Sequence, residues 1–154
     1  MIFVGSYLRR ATLGRYFATL NSINSYSSSF VEIYSDNIKV IPNLWCFLNS
    51  TLGFLISEVS GRVNLGGGML KAEATDLKTF PLLYNFNKEN EINNIMDKSK
   101  SIEAISVIKL LDTPIHIKID DIVFEYFNIN SKDRETIKSI FINLVNKREK
   151  KSKS

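Results

Sequence analysis

An apolar stretch that begins at Asn43 and ends at Gly61 constrains this chain more than any other feature. Its large aliphatic residues recur at spacings of four, four, three and four, which is the period of an α-helix: Leu44, Leu48, Leu52, Leu55 and Val59. Further apolar residues between them widen the face, so the pattern predicts one helix buried on most sides. We expect Asn43 to cap it and Gly61 to end it in a left-handed conformation.

The sequence on either side of this helix predicts two different kinds of structure. Aromatic and β-branched residues favour strands over 1–8, 15–20 and 30–34. Helical spacing returns over 88–111, with a break near 97–101, and again over 119–127 and 131–148. We therefore expect an α+β fold, with a small irregular β region packed on a buried helix and a helical C-terminal half. It would form one domain over 1–148, followed by a basic disordered tail over 149–154.

The composition excludes several classes of protein. Of the 154 residues, 44% are hydrophobic and 23% are charged, which is typical of a folded domain and argues against disorder. Polar residues interrupt every apolar run before the ~20 residues that a membrane span needs. The apolar start at 1–4 is followed by Arg9 and Arg10, the reverse of a secretory signal. We expect a cytoplasmic protein with no membrane partner.

Few residues suit catalysis or metal binding. With one cysteine and one histidine, Cys46 and His116, the chain cannot supply a zinc site. Cys46 lies in an apolar stretch and is expected to be a buried core residue, and His116 to be a structural one. Asp120 and Asp121 suggest an acid pair, but neighbouring residues on a helix point about 100° apart and do not share a site. The sequence therefore predicts no catalytic residue.

The net charge of +4 is unevenly distributed. Residues 147–154 hold five basic groups and one acidic group, and residues 1–71 hold six basic and three acidic groups. Residues 72–146 are acidic on balance, with nine basic and twelve acidic groups. The first half and the tail therefore attract polyanions. A solvated lysine-rich tail is the simpler interpretation of the last eight residues.

Three consecutive glycines, Gly66, Gly67 and Gly68, follow the apolar helix. Ordering them is costly, because glycine loses more backbone freedom on folding than other residues do. In a helix or strand this makes glycine less stable than alanine by roughly 0.5–1 kcal/mol. The cost is understandable if a ligand must approach the main chain, whose amides then donate to phosphates or base edges. Arg62 and Lys71 suit phosphates, and Asn64 suits adenine. A flexible surface turn with ordinary flanking charges explains the same residues equally well.

Four segments in order resemble one family. They are Leu-Asn-Ser-Thr at 48–51, Gly-Arg-x-Asn-Leu-Gly-Gly-Gly-x-Leu-Lys at 61–71, Asp-Leu-Lys-x-x-Pro-Leu at 76–82, and the segment at 119–135. This set is similar to the C-terminal target-recognition region of adenine-specific DNA methyltransferases, including TaqI-like enzymes and fused type II restriction–modification proteins. The resemblance covers about residues 44–148, and residues 1–40 are only compatible with it.

The resemblance implies a function in which another domain performs the chemistry. In that family an N-terminal domain binds S-adenosylmethionine and flips the adenine, while the C-terminal domain selects the sequence on double-stranded DNA. Carried over to the matching positions, the DNA-binding residues would be Arg62, Asn64, Gly66, Gly67, Gly68 and Lys71. Their structural frame would be Leu48, Leu52, Leu77 and Pro81.

The catalytic signature of that family is absent from this chain. Its Asn/Asp-Pro-Pro-Tyr/Phe motif needs adjacent prolines, whereas Pro42, Pro81 and Pro114 stand apart. We therefore expect a DNA sequence-recognition module of a restriction–modification system that binds no cofactor itself. A partner methyltransferase domain or subunit, in some cases fused to a nuclease, would supply the chemistry. The alternative is an inactive or structural fragment of a split or truncated gene that does not bind DNA alone.

Overall fold

The structure is a computed structural model that describes residues 2–5, 7–8, 18–20, 30–33, 37, 39–61, 70–71, 78, 81, 83, 87–101 and 105–151. Among the strands, only the side chains of Ala18 and Ile33 are described. The strands in chain order are β1 (Ile2–Gly5), β2 (Tyr7–Leu8), β3 (Ala18–Leu20), β4 (Phe30–Ile33) and β5 (Leu70–Lys71). The helices are α1 (Val40–Leu48), α2 (Thr51–Ser60), α3 (Glu89–Ser99), α4 (Val107–Leu110), α5 (Pro114–Tyr126) and α6 (Ser131–Lys151).

The strands form two short antiparallel ladders. In the first, β1 lies between β3 and β4, so that Ile2 is opposite both Leu20 and Ile33. In the second, β2 pairs with β5 through Tyr7–Lys71 and Leu8–Leu70. Each ladder spans two to four residues, which is too short to bury a large apolar face.

The expected α+β fold is wrong. Among the residues whose side chains are described, 74% lie in helices and 2% in strands. Among those residues the buried side chains come almost entirely from the helices, and the two described strand side chains, Ala18 and the half-buried Ile33, also join a core cluster. The helices therefore pack against one another, and the expected β region packed on a buried helix does not describe this fold.

The predicted helix over 43–59 is two helices, α1 and α2, with a bend of 70° between them. Asn43 lies inside α1 and caps nothing, since α1 begins after Lys39. Ser50 is the real cap, because its hydroxyl accepts a hydrogen bond from the amide of Gly53 at 3.0 Å. Gly61 does end α2, but in an extended conformation (φ −71°, ψ 147°) and not in the left-handed one.

The described core consists of two clusters. The larger packs α1 against α3 and α5, and its fully buried side chains include Cys46, Phe47, Ile92 and Val123. The smaller joins α2, α4 and α6 through Phe54, Val107, Leu111, Phe141 and Val145. The buried hydrophobic residues of α1 belong to the larger cluster, whereas α2 contacts both: Leu52 and Ile56 pack against the larger cluster, and Phe54 and Leu55 pack in the smaller one.

The bounds of the C-terminal helices are closer to those predicted from the sequence. α5 begins earlier than predicted because Thr113 caps it and Pro114 occupies its first turn. Asn128 then ends the helical segment with a positive φ of 53°. Asn130 caps α6, since its side-chain oxygen accepts a hydrogen bond from the amide of Asp133 at 3.0 Å. Because α6 continues to Lys151, the expected start of the tail at 149 lies inside a helix.

No single helix among the described ranges is both long and apolar enough to span a membrane. α1 and α2 together would pass by length and composition, but they are bent by 70°, and residues 41–48, 51, 53 and 54 are buried.

Candidate nucleic-acid interface

A buried polar cluster fixes the start of α2. The carboxylate of Asp120 accepts from the main-chain amide of Thr51 at 2.7 Å and from its hydroxyl at 2.6 Å. Since that hydroxyl proton is used, the Thr51 oxygen accepts from Nε2 of His116, which lies 2.9 Å away. Thr51 and His116 are almost completely buried, and the ring of Phe54 stacks on His116 at 5.4 Å.

This cluster is a helix anchor. Asp120 places a negative charge at the positive end of α2 and satisfies an amide that has no partner within the helix. Asp121, the other half of the acid pair considered from the sequence, forms an ion pair with Arg134 at 3.0 Å. The two carboxylates therefore serve different partners, as their adjacent positions on a helix predicted. The interpretation of His116 as a structural residue fits its burial and its hydrogen bond.

A second buried polar contact fixes the end of α2. Two guanidinium nitrogens of Arg148 lie 2.7 and 2.9 Å from one carboxylate oxygen of Glu58. Each side chain is only 5% exposed, which makes this pair unlike the other ion pairs described, where at least one partner is more open to solvent. It joins the last turn of α2 to the last turns of α6.

The direction of the two helices follows from two contacts. Phe54 meets Phe141 with ring centroids 5.8 Å apart, and one turn further along α2 Glu58 meets Arg148. The residue numbers increase in the same sense on both helices, so α2 and α6 run in the same direction. Their C-terminal ends therefore lie side by side, and the chain continues from α2 at this end, after Gly61.

Exposed cations occupy this end of α6. Lys147 and Lys150 are exposed, and no ion pair is found for either among the described residues. Arg148, counted with the tail cations in the sequence, is instead neutralised by Glu58. Lysines near a helix C-terminus also interact favourably with the helix dipole, so their position alone does not imply a ligand.

The predicted DNA-binding residues Arg62, Asn64, Gly66, Gly67 and Gly68 lie outside the described residues. Only the main chain of Lys71 is described, where it pairs with Tyr7 in the β2–β5 ladder. The described ends of this segment are therefore Gly61, which closes α2, and Leu70, which opens β5.

The predicted structural frame is only partly buried. Leu48 is buried and Leu52 is half-buried, whereas Pro81 is exposed. Leu77 lies outside the described residues.

Cys46 has no accessible thiol. It is fully buried, and this burial raises the pKa of the Cys46 thiol to about 12, with a smaller contribution from the negative charges of Asp120 and Glu91. The thiol therefore stays protonated at neutral pH and is a poor nucleophile. Among the residues with described side chains, no group of His, Cys, Asp and Glu is arranged to hold a metal ion.

Sequence reasoning missed both anchors of α2. Ser50 and Thr51 carried a capping signal, but it lay inside an uninterrupted helical period and was not used. The partners Asp120 and Arg148 are 69 and 90 residues away from Thr51 and Glu58. No local pattern connects residues at such separations.

Comparison with known proteins identifies no relative. No family model matches the chain, and no curated protein or solved structure matches it either. The resemblance to target-recognition regions therefore rests on the four sequence segments alone.

Proposed function

We propose that this chain is a DNA sequence-recognition module of an adenine-specific DNA methyltransferase in a restriction–modification system, without a catalytic domain of its own. A partner methyltransferase domain or subunit binds S-adenosylmethionine and performs the transfer. The residues Arg62, Asn64, Gly66, Gly67, Gly68 and Lys71 face double-stranded DNA.

One observation supports this proposal beyond the sequence segments. The buried Glu58–Arg148 pair holds the last turn of α2, and the glycine-containing segment begins directly after that helix. A recognition segment needs a rigid element behind it, because base readout depends on side chains held in register with the groove. α2 has such support at both ends, from Asp120 at the first turn and from Arg148 at the last.

Selection of binding sites from a random duplex library tests the proposal. The purified chain should enrich one sequence at moderate salt, and each wrong base pair in it should weaken binding by about 1–3 kcal/mol. A folded chain that enriches no sequence would contradict the proposal and favour the alternative of an inactive or structural fragment.

Substitution of Arg62 tests the assigned residues. Arg62→Ala should remove roughly 1–3 kcal/mol of discrimination at one base position, as expected for loss of a bidentate contact to guanine. Arg62→Lys keeps the charge but loses the planar pair of donors, so it should recover affinity more than selectivity. Lys71→Ala should weaken binding to all sequences alike.

The matched control is Lys98→Ala, which removes one exposed cation from the last turn of α3. Fluorescence anisotropy against the selected duplex and a scrambled one gives both readouts. If Arg62→Ala were no different from Lys98→Ala, the site assignment would fail even where the chain binds DNA selectively.

A further inference from the structure

One face of the C-terminal half of α6 carries only uncharged and basic polar side chains. Asn143, Asn146, Lys147 and Lys150 are all exposed. At 3.6 residues per turn they fall within about 100° of arc, on the side away from Arg148 and its contact with α2. Residues 136–148 contain no aspartate or glutamate, and Glu149, which lies between Lys147 and Lys150 in the sequence but outside this arc, is the one acid within 136–151.

The chemistry of this face suits a phosphate backbone. Asparagine amides and lysine ammonium groups are both donors to phosphate oxygens, and such contacts position a protein on a duplex without reading its sequence. Asn143 lies three and four residues before Asn146 and Lys147, and these lie four and three residues before Lys150, which are separations of about 4.5–6 Å along the helix axis. Phosphates of one DNA strand follow one another about every 3.4 Å along the duplex axis, so donors spread over one to two helical turns of α6 can reach more than one of them.

The position of this face ties it to the segment after α2. Because α2 and α6 run in the same direction and are joined by Glu58–Arg148, Lys147 and Lys150 lie at the end where the chain leaves Gly61. Arg148, one of the five basic residues of the tail, thus forms an ion pair inside the protein, and this contact fixes the position of the neighbouring lysines.

We propose that Asn143, Asn146, Lys147 and Lys150 form a phosphate clamp that holds the backbone of duplex DNA beside the recognition segment. The clamp deepens the proposed function and rests on it, since it assumes that the chain binds DNA. It adds a sequence-independent contact to the one that selects the sequence.

The clamp predicts a change in the salt dependence of binding. The double variant Lys147→Ala/Lys150→Ala should make the slope of log affinity against log salt less negative by about 2, since each phosphate contact contributes about 0.9. Affinity at 0.1 M salt should fall by at least about tenfold, equally for the selected and the scrambled duplex. Asn143→Ala/Asn146→Ala should weaken binding without changing the slope, because no counterion is released by a neutral group.

The matched control is Lys118→Ala/Lys132→Ala. Both residues are exposed lysines with no ion pair found among the described residues, and the change in net charge is the same. Lys132 lies about 22 Å from Lys147 along α6, and Lys118 lies near the first turn of α2, close to Asp120. Circular dichroism of all variants verifies the fold.

The outcomes separate the two proposals. If the wild-type chain binds no duplex DNA, both fail. If it binds selectively and the Lys147/Lys150 variant has the same slope as the Lys118/Lys132 control, only the clamp is overturned. A slope that changes by about 2 in the clamp variant alone supports it.

Discussion

Gly53 is required by the close approach of two helix ends. A Cβ atom at this position would lie 2.2 Å from the carbonyl oxygen of Phe47, which belongs to the main chain and has little freedom to move. The same residue donates its amide to Ser50, the cap of α2. The tight joint between α1 and α2 thus depends on a residue without a side chain.

Gly53→Ala should destabilise the protein although alanine is the better helix former. Helix propensity favours alanine by about 1 kcal/mol, but the overlap with the Phe47 carbonyl forces the joint open at a cost of about 1–3 kcal/mol or more. We expect a net loss in the free energy of unfolding, measured by urea denaturation. Gly61→Ala is the control, since its φ of −71° is accessible to alanine. Equal stability of the two variants would contradict the role assigned to Gly53.

At the scale of residues, the sequence predicted whether a side chain is buried better than it predicted which residue that side chain contacts. It correctly predicted Cys46 as a buried residue. It failed for Asn43, which is buried inside α1, because capping propensity says nothing about where a helix actually begins. Val59, assigned to the buried face, is 70% exposed.

At the scale of elements, α2 is ten residues long and depends on its ends. Short isolated helices are marginal in water, so tertiary contacts must supply what length does not. Asp120 from α5 satisfies the first turn, and Arg148 from α6 holds the last. The stability of α2 therefore depends on residues in the C-terminal half of the chain.

Asp120→Asn should lower the free energy of unfolding by about 1–3 kcal/mol, because the charge at the start of α2 is lost and one of its two acceptors becomes a donor facing Thr51. Asp121→Asn is a matched control at the next position, where an exposed ion pair with Arg134 is worth about 0–1 kcal/mol. Thermal unfolding of both variants measures the difference. Similar losses would show that the Thr51 contact contributes no more than a surface pair.

The division of the apolar stretch could not be predicted from its periodicity. The helical spacing continues across residues 49 and 50 because Leu48 and Leu52, on either side of the joint, both pack in the larger cluster, and among the leucines of the stretch only Leu55 packs against the smaller one. Asn49 fixes the break from outside, since its side chain exchanges two hydrogen bonds with the main chain of Ala18, at 3.0 and 3.2 Å. Only the tertiary structure reveals that contact.

At the scale of the molecule, few polar contacts link the two core clusters. α2 turns Phe54 toward the smaller cluster, and Phe54 also stacks on His116 of α5, which faces the larger one. The Glu58–Arg148 pair secures α6 to this arrangement. We therefore expect loss of the Glu58–Arg148 pair to lower the free energy of global unfolding.

Glu58→Ala and Arg148→Ala should each cost about 3–5 kcal/mol, because each removes one member of a buried ion pair and leaves the charge of the other in place. The double substitution Glu58→Leu/Arg148→Met should cost much less, since it removes both charges and restores apolar volume. Urea denaturation of the single and double variants measures the coupling. Asp112→Ala, which breaks the more exposed pair with Lys138, should cost at most about 1 kcal/mol. Single variants no worse than Asp112→Ala would contradict this account.

The candidate site was predicted from the three consecutive glycines, their polar neighbours and the family resemblance, and not from the charge of the tail. The charge count showed that residues 147–154 are basic but favoured a solvated tail, and the structure adds that Arg148 is internal while Lys147 and Lys150 are exposed. The glycine-containing segment remains a prediction, because its residues between Gly61 and Leu70 are not described.

The cap at Ser50 also fixes the rotational phase of α2. A residue inserted between Ser50 and Phe54, inside the helix, would turn the rest of α2 by about 100° relative to its cap and shift it by about 1.5 Å. Phe54 and Glu58 would then point away from Phe141 and Arg148, and the start of the following segment would turn with them. A family of related chains should therefore keep the spacing from Ser50 to Phe54 constant, even where the amino acids on either side of it differ.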